Sequence, residues 1–201
     1  MKKLRFTIAA VAFVALALFP QPGQAVSLGI EADIMPTVLN AVSATEDNRA
    51  NVALRLYLGD YFHLGVDVSD ERPDKGPSTI QLVAPIPSYG PYFIDDRYYG
   101  ASVGFYLSGY NQSSFRVIAT GGQANRRFEV GQIGVSDSKG SFYMGEVGYQ
   151  FVLNTGILSL GYVYRVSDLE TSKEFTQGAS RWVYEEDKQH AFLKLGVGFI
   201  F

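Results

Sequence analysis

The chain has 201 residues, a formal net charge of −3, 47% apolar residues and no cysteine. The missing cysteine excludes a disulfide framework and thiolate chemistry, and the acidic balance argues against nucleic acid as a partner, which needs a basic footprint. The length fits one domain, and the 21 glycines, 13 tyrosines and 14 phenylalanines favour strands and turns over helices.

Residues 1–25 read as a secretory signal that is removed. Lys2, Lys3 and Arg5 form a basic start, and Phe6 to Phe19 carries no charge, with Thr7 its only polar member. Pro20, Pro22 and Gly23 then break the run, and Gly23-Gln24-Ala25 sets small residues three and one before a cut. The apolar run is too short for a spanning helix, and no later stretch is long enough for one. Without a cysteine to follow, no lipid anchor is expected. Residues 26–201 then form the mature domain. Removing three of 17 basic residues against 20 acidic ones leaves −6.

Eight segments alternate between an apolar and a mixed face, the period of a β-strand. The first, Val26–Ile34, puts Leu28, Ile30, Ala32 and Ile34 on one side and Glu31 and Asp33 on the other. The second, Asn51–Leu58, sets Val52, Leu54, Leu56 and Leu58 against Arg55. In the third, Phe62, Leu64, Val66 and Val68 face away from His63 and Asp67. In the fourth, Tyr99, Ala101, Val103, Phe105 and Leu107 face away from Ser102 and Gly104. The fifth has the weakest pattern, Phe115, Val117 and Ala119 against Arg116. The sixth sets Tyr143, Gly145, Val147, Tyr149 and Phe151 against Glu146 and Gln150. The seventh sets Leu158, Leu160, Tyr162, Tyr164 and Val166 against Ser159 and Arg165. The last sets Ala191, Leu193, Leu195, Val197, Phe199 and Phe201 against His190, Lys194 and two glycines.

The connections alternate in length. Gly59-Asp60, Gly109 to Ser113 and Asn154-Thr155-Gly156 are tight turns with glycine or asparagine available for positive φ. Between them lie long loops, about Met35–Asn48, Asp70–Asp96, Gly122–Gly140 and Asp168–Asp187. Short turns at one end and long loops at the other are the plan of an eight-stranded antiparallel up-and-down transmembrane β-barrel, an all-β fold.

The strand charges agree with that plan. Glu31, Asp33, Arg55, Asp67, Arg116, Glu146, Arg165 and Lys194 all lie on the mixed face, four acidic and four basic. A charge facing lipid at mid-depth costs about 2–4 kcal/mol, while interior charges survive when paired. The first, second and last strands become neighbours on closure, so Glu31 is expected to bridge Arg55 and Lys194. A barrel of this size has room for side chains and little else, so a charge-filled lumen without an open pore is expected. On the apolar face, Phe62, Phe115, Phe151 and Phe201 mark the turn ends, and Tyr99, Tyr143 and Tyr164 the loop ends, as two interfacial girdles would.

By this pattern the mature chain resembles the small bacterial outer-membrane barrels of the outer membrane protein A, X and W types. Leu195, Val197, Phe199 and the terminal Phe201 look like the signal such proteins present to the barrel-assembly machinery. The resemblance implies an outer-membrane monomer whose surroundings are membrane lipid and lipopolysaccharide, with no cofactor. Because the chain stops in its last strand, a peptidoglycan-tethering domain is not expected. Two alternatives stay open at this point. One is a soluble lipocalin-like barrel with its apolar face inward. The other is a ten-stranded barrel using Thr79–Ile86, although prolines at 77, 85, 87 and 91 oppose a central strand there.

On a rigid scaffold, function falls to the loops. The Asp70–Asp96 loop pairs a charged stretch with a Pro-rich apolar one holding Tyr89, Tyr92 and Phe93. Arg126-Arg127 is a candidate for lipopolysaccharide phosphates. No ligand spacing specifies a metal. Chemistry on lipid A would need a nucleophile and a base; His63 lies at the turn end, and Ser167, Asp168 and His190 are the only grouping of that type. The expected role is therefore structural and surface-interacting, in envelope integrity or adhesion. The alternative is transport or binding of small hydrophobic molecules, and lipid A modification is a third reading.

Overall fold

The computed structural model describes residues 26–36, 47–73, 79–84, 88–89, 93–130, 134–169, 172–177, 180–185 and 189–201. The segment 1–25, expected to be a secretory signal, lies outside them. Eight strands close into an antiparallel barrel: β1 (Val26–Asp33), β2 (Asp47–Leu58), β3 (Phe62–Pro73), β6 (Phe93–Tyr106), β7 (Ser114–Val130), β8 (Gly134–Leu153), β9 (Gly156–Ser167) and β12 (Gln189–Ile200). Each pairs with the next along the chain, and β1 returns to β12 with Gly29 opposite Ile200 and Asp33 opposite Gly196. The seam is extended by Phe201 N–H donating to the Leu28 carbonyl at 2.7 Å and by the reciprocal bond at 3.2 Å. Closure leaves no free edge in the barrel, the feature that lets a sheet stand in lipid.

The three tight turns fall where the sequence puts them. Gly59 (φ +60°), Gly109 (φ +101°) and Asn154 (φ +57°) supply the left-handed residues, which other side chains occupy only with strain.

The loop ends depart from the sequence reading. β7 and β8 run through most of the expected Gly122–Gly140 loop, paired from Gly122↔Phe142 out to Val130↔Gly134. β3 and β6 likewise continue past Asp70 and back to Phe93. The alternation of burial continues there, but the outward residues become polar: Asp70, Asp95, Arg97, Asn125, Arg127, Asp137, Lys139 and Ser141. A search for apolar alternation stops where that change occurs.

Thr79–Ala84 (β4) does form a strand, but outside the barrel. It joins β5 (Ser88–Tyr89), β10 (Ser172–Gln177) and β11 (Ser180–Glu185) in a second sheet ordered β10-β11-β4-β5. The barrel itself has eight strands, and the ten-stranded alternative is excluded. The Asp70–Asp96 and Asp168–Asp187 segments are thus partly sheet. Pro85, Pro87, Pro91 and Tyr92 of the Pro-rich stretch lie outside the described residues.

Burial is inverted relative to a soluble protein. Along β9, Leu158, Leu160, Tyr162 and Tyr164 are exposed, while Ser159 and Arg165 are buried. Val66, Val103, Val117, Val147 and Leu193 are each about half exposed on the outside. Soluble monomers rarely show apolar patches beyond a few hundred Å²; here such residues circle the molecule. The lipocalin-like alternative requires the opposite arrangement and is excluded.

Candidate functional site

The lumen is built in three layers, each fixed by strand parity. At the turn end, Tyr57 from β2, Tyr106 from β6 and Tyr110 from the β6–β7 turn pack together, with Tyr57 and Tyr110 stacked at 4.3 Å. The turn is folded back to place Tyr110: its N–H donates to the Asp60 carbonyl at 2.8 Å, and its hydroxyl lies 2.9 Å from Ser27 Oγ. Gln150 Nε2 donates to the Tyr110 carbonyl at 2.7 Å. His63 lies just above, fully buried. Arginine has no acceptor, so His63 Nε2 accepts from Arg55 Nη1 (2.9 Å), and the ring proton sits on Nδ1, donated to the Tyr106 hydroxyl (2.9 Å).

Gly104 is what makes room for that imidazole. A Cβ at Gly104 would collide with the His63 ring. Gly104→Ala should therefore cost about 1–3 kcal/mol, the ordinary cost of overpacking. Urea unfolding of the refolded barrel measures it, and His63→Ala in the same chain should recover part of the loss.

The middle layer is an ion lattice centred on Arg116. Its Nη1 and Nη2 donate to Glu31 at 2.9 and 2.6 Å, and its Nε donates to Glu146 at 2.8 Å. Ser159 Oγ donates to Glu31 at 2.7 Å. Lys194 Nζ donates to Glu146 at 3.1 Å and lies 4.0 Å from Glu31. Arg55 reaches Glu31 at 3.5 Å, Ser102 at 3.1 Å and Asp67 at 3.4 Å. Glu31 does meet both Arg55 and Lys194, but its shortest ion pair is with Arg116, which reaches it across the lumen. Arg55, Arg116, Glu31 and Glu146 are each 1–2% exposed, so Coulomb attraction here is weakly screened.

The loop-side layer holds charges that strand reading left in loops. Arg126 grips Asp96 with two bonds, at 2.7 and 2.6 Å. Arg165 grips Glu71 with two prongs, the longer 2.8 Å, and its guanidinium lies 3.9 Å over the Tyr98 ring. Tyr98, Ala124, Phe142 and Leu169 pack as an apolar cluster beside them. Asp33, partly buried at the end of β1, accepts from Met35 N–H (3.0 Å) and Leu195 N–H (3.2 Å). Glu71, Asp96 and Arg126 share the parity of Asp67, Ser102 and Arg116 on the same strands. Carrying the alternation three positions beyond Val68 and three before Tyr99 would have found Glu71 and Asp96, and seven positions beyond Ala119 would have found Arg126.

With Arg49, the inner face of the described barrel carries Glu31, Asp33, Asp67, Glu71, Asp96 and Glu146 against Arg49, Arg55, Arg116, Arg126, Arg165 and Lys194, so its formal charge is zero. Above the ion lattice a cavity of about 20 Å³ opens toward the loops, lined by Asn51, Asp67, Glu71, Arg165 and Lys194 among others.

Two sequence expectations read differently in the structure. Arg126 and Arg127 do not act as a pair: Arg126 is buried in the lumen and Arg127 is on the outer face. Asp168 accepts from Ser141 Oγ at 3.3 Å on the outside, whereas His190 faces inward opposite Arg165, so the Ser167–Asp168–His190 grouping is not drawn together as a triad. Leu195, Val197, Phe199 and Phe201 occupy the outer face at the seam, with Phe199 and Phe201 strongly exposed. Among the described residues no group of His, Asp and Glu is placed to hold a metal ion.

Together these features define a closed, eight-stranded antiparallel β-barrel with an apolar outside and a charge-filled inside. Its fold is similar to that of Neisserial surface protein A, with a TM-score of 0.54 and 16% identity over 88% of this chain and 97% of that one. The N-terminal β-barrel domain of Pseudomonas aeruginosa OprF matches with a TM-score of 0.48 and 10% identity, over 87% of this chain and 97% of that one. Ail, the attachment invasion locus protein of Yersinia pestis, matches with a TM-score of 0.42 and 11% identity, over 88% and 96%. No protein-family model and no curated protein matches the sequence. At these identities the likeness is one of fold, and the resemblance to small outer-membrane barrels holds at that level.

Proposed function

We propose that the protein is an integral barrel of the bacterial outer membrane, without an open pore, that acts as a structural and surface-interaction scaffold through the segments at its loop end. One observation carries this: six acidic and six basic residues are turned into the described lumen while the outer face between the two girdles is apolar. Water is a poor solvent for such a surface and a bilayer a good one. The lumen is then occupied by its own side chains. That leaves the β7–β8 extension and the second sheet as the parts offered to partners.

The polar outer rows support lipopolysaccharide as the surrounding lipid. Directly beyond Tyr99 and Tyr143, Arg97 pairs with Asp95 (3.1 Å) and Asp70 (3.7 Å), and Arg127 and Lys139 follow on β7 and β8. Such a collar fits a charged headgroup layer. The exposed Phe199 and Phe201 at the seam are where the barrel-assembly machinery would read the chain, and the protein works as a monomer. Carriage of small hydrophobic molecules calls for a cavity of their size, roughly 300–1,000 Å³, whereas the lumen cavity holds about 20 Å³ and has Asp67, Glu71, Arg165 and Lys194 among its lining residues.

Trypsin added to intact cells tests the proposal. The connections between β3 and β6 and between β9 and β12 should be cut, while the barrel stays in the outer-membrane fraction. Recovery of uncut protein from the soluble periplasm would overturn it. A changed acyl count in the lipid A mass spectrum of producing cells would instead make the protein an enzyme.

A further inference from the structure

β8 outruns β9 at the loop end, and the place where β9 leaves is built into the packing. The two strands pair up to Phe142↔Ser167, and Asp168 N–H still donates to the Ser141 carbonyl at 2.8 Å. The chain then turns inward, with Leu169 buried against Tyr98, Ala124 and Phe142. Gly140 makes room for that turn, since a Cβ there would lie 2.8 Å from the Asp168 carbonyl. β8 continues without proline, paired with β7 out to Val130↔Gly134. Its other edge, from Lys139 to Gly134, has no partner strand among the described residues. Backbone groups alternate sides along a strand, and the Ser141 carbonyl points to the β9 side. Lys139, Asp137 and Val135 therefore turn their N–H and C=O groups to the open edge.

We propose that this edge is a docking site for an extended segment of a partner protein, added antiparallel in the place that β9 vacates. Strand addition draws affinity from main-chain bonds and selectivity from alternate side chains. The template is already held by β7, so only the incoming strand has to be ordered. Selectivity comes from Asp137 and Lys139, both exposed and on one face of β8. An antiparallel partner meets Lys139 first and Asp137 next. Along its own direction it should therefore read acid, any residue, base, so that opposite charges stand across the pair. A second copy in the same membrane does not fit. Its β8 would run parallel to this one and set Asp137 against Asp137 and Lys139 against Lys139, and like charges directly opposite are destabilising. The inference rests on the surface-scaffold reading and names a contact that such a scaffold offers.

Amide hydrogen exchange of the purified barrel, residues 26–201, in nanodiscs tests it, with the peptide TETKVTV as the incoming strand and TKTEVTV as its charge-reversed control. TETKVTV should slow exchange at Val135, Asp137 and Lys139 and leave Ser136 and Ser138 unchanged. TKTEVTV should bind about tenfold more weakly, the worth of two cross-strand charge pairs. The double variant Asp137→Lys, Lys139→Asp should invert that preference. No protection by either peptide, or equal protection by both, would overturn the charge-selected site. Protection that appears without peptide and grows with the number of barrels per disc would overturn it in favour of a second copy. Each of these outcomes leaves the surface-scaffold reading standing, which the trypsin experiment on intact cells decides separately.

Discussion

Arg116→Met should destabilise the folded barrel by about 3–5 kcal/mol, the largest loss expected from any one lumen substitution, because it removes one partner of a buried ion network and leaves the others charged. Glu31 would lose both of its shortest ion pairs, and Glu146 would keep only Lys194. Neither carboxylate has solvent to turn to, since both are 1–2% exposed. Equilibrium urea unfolding in lipid vesicles, followed by circular dichroism and by the mobility shift of unboiled samples, reads the loss. Adding Glu31→Gln and Glu146→Gln to Arg116→Met should recover much of it, because the stranded charges go as well. A single substitution with an unchanged unfolding midpoint would mean that the lattice is ornamental to folding.

Val66→Arg should cost about 2–4 kcal/mol, the price of a cation facing lipid near mid-depth. Val66 is 55% exposed on the outside of β3, between Leu54 on β2 and Ala101 on β6, between the rows of Tyr99 and Phe62. In a water-soluble barrel the same change at a half-exposed site would be within about 0.5 kcal/mol of neutral. The sign and size of this effect therefore report on the solvent that surrounds the barrel. Arg97→Ala, in the polar row beyond Tyr99, serves as the contrast and should move stability little, since exposed ion pairs are worth roughly 0–1 kcal/mol.

Much of this architecture is legible in the sequence, because lipid imposes a strict period of two on the outward residues. The eight strand charges and the seam strand follow from that period, and the three tight turns from the glycine or asparagine in the short gaps between strands. It fails in two places for physical reasons. Beyond Tyr99 and Tyr143 the outward residues meet polar surroundings, so the contrast between faces weakens, and Glu71, Asp96 and Arg126 read as loop residues. Arg126-Arg127 shows the consequence: adjacent in sequence, they point to opposite sides of one strand. The second failure is of distance rather than period. Arg116 lies on the strand with the weakest pattern, and its partner Glu31 is 85 residues away. Sequence adjacency favoured Arg55 and Lys194 as partners of Glu31, since their strands flank β1. Only closure of the barrel brings β7 across the lumen to β1. The tyrosine plug was hidden for a related reason: Tyr57 and Tyr106 face inward, on the side where polar residues were sought, and Tyr110 belongs to a turn.

The most direct test of a membrane barrel closed by its own charges is single-channel recording from the purified barrel, residues 26–201, in a planar bilayer. Incorporation without stable conductance steps is expected, because the Arg116 lattice and the tyrosine plug block the lumen in series. Large, long-lived steps that persist across voltages would contradict it.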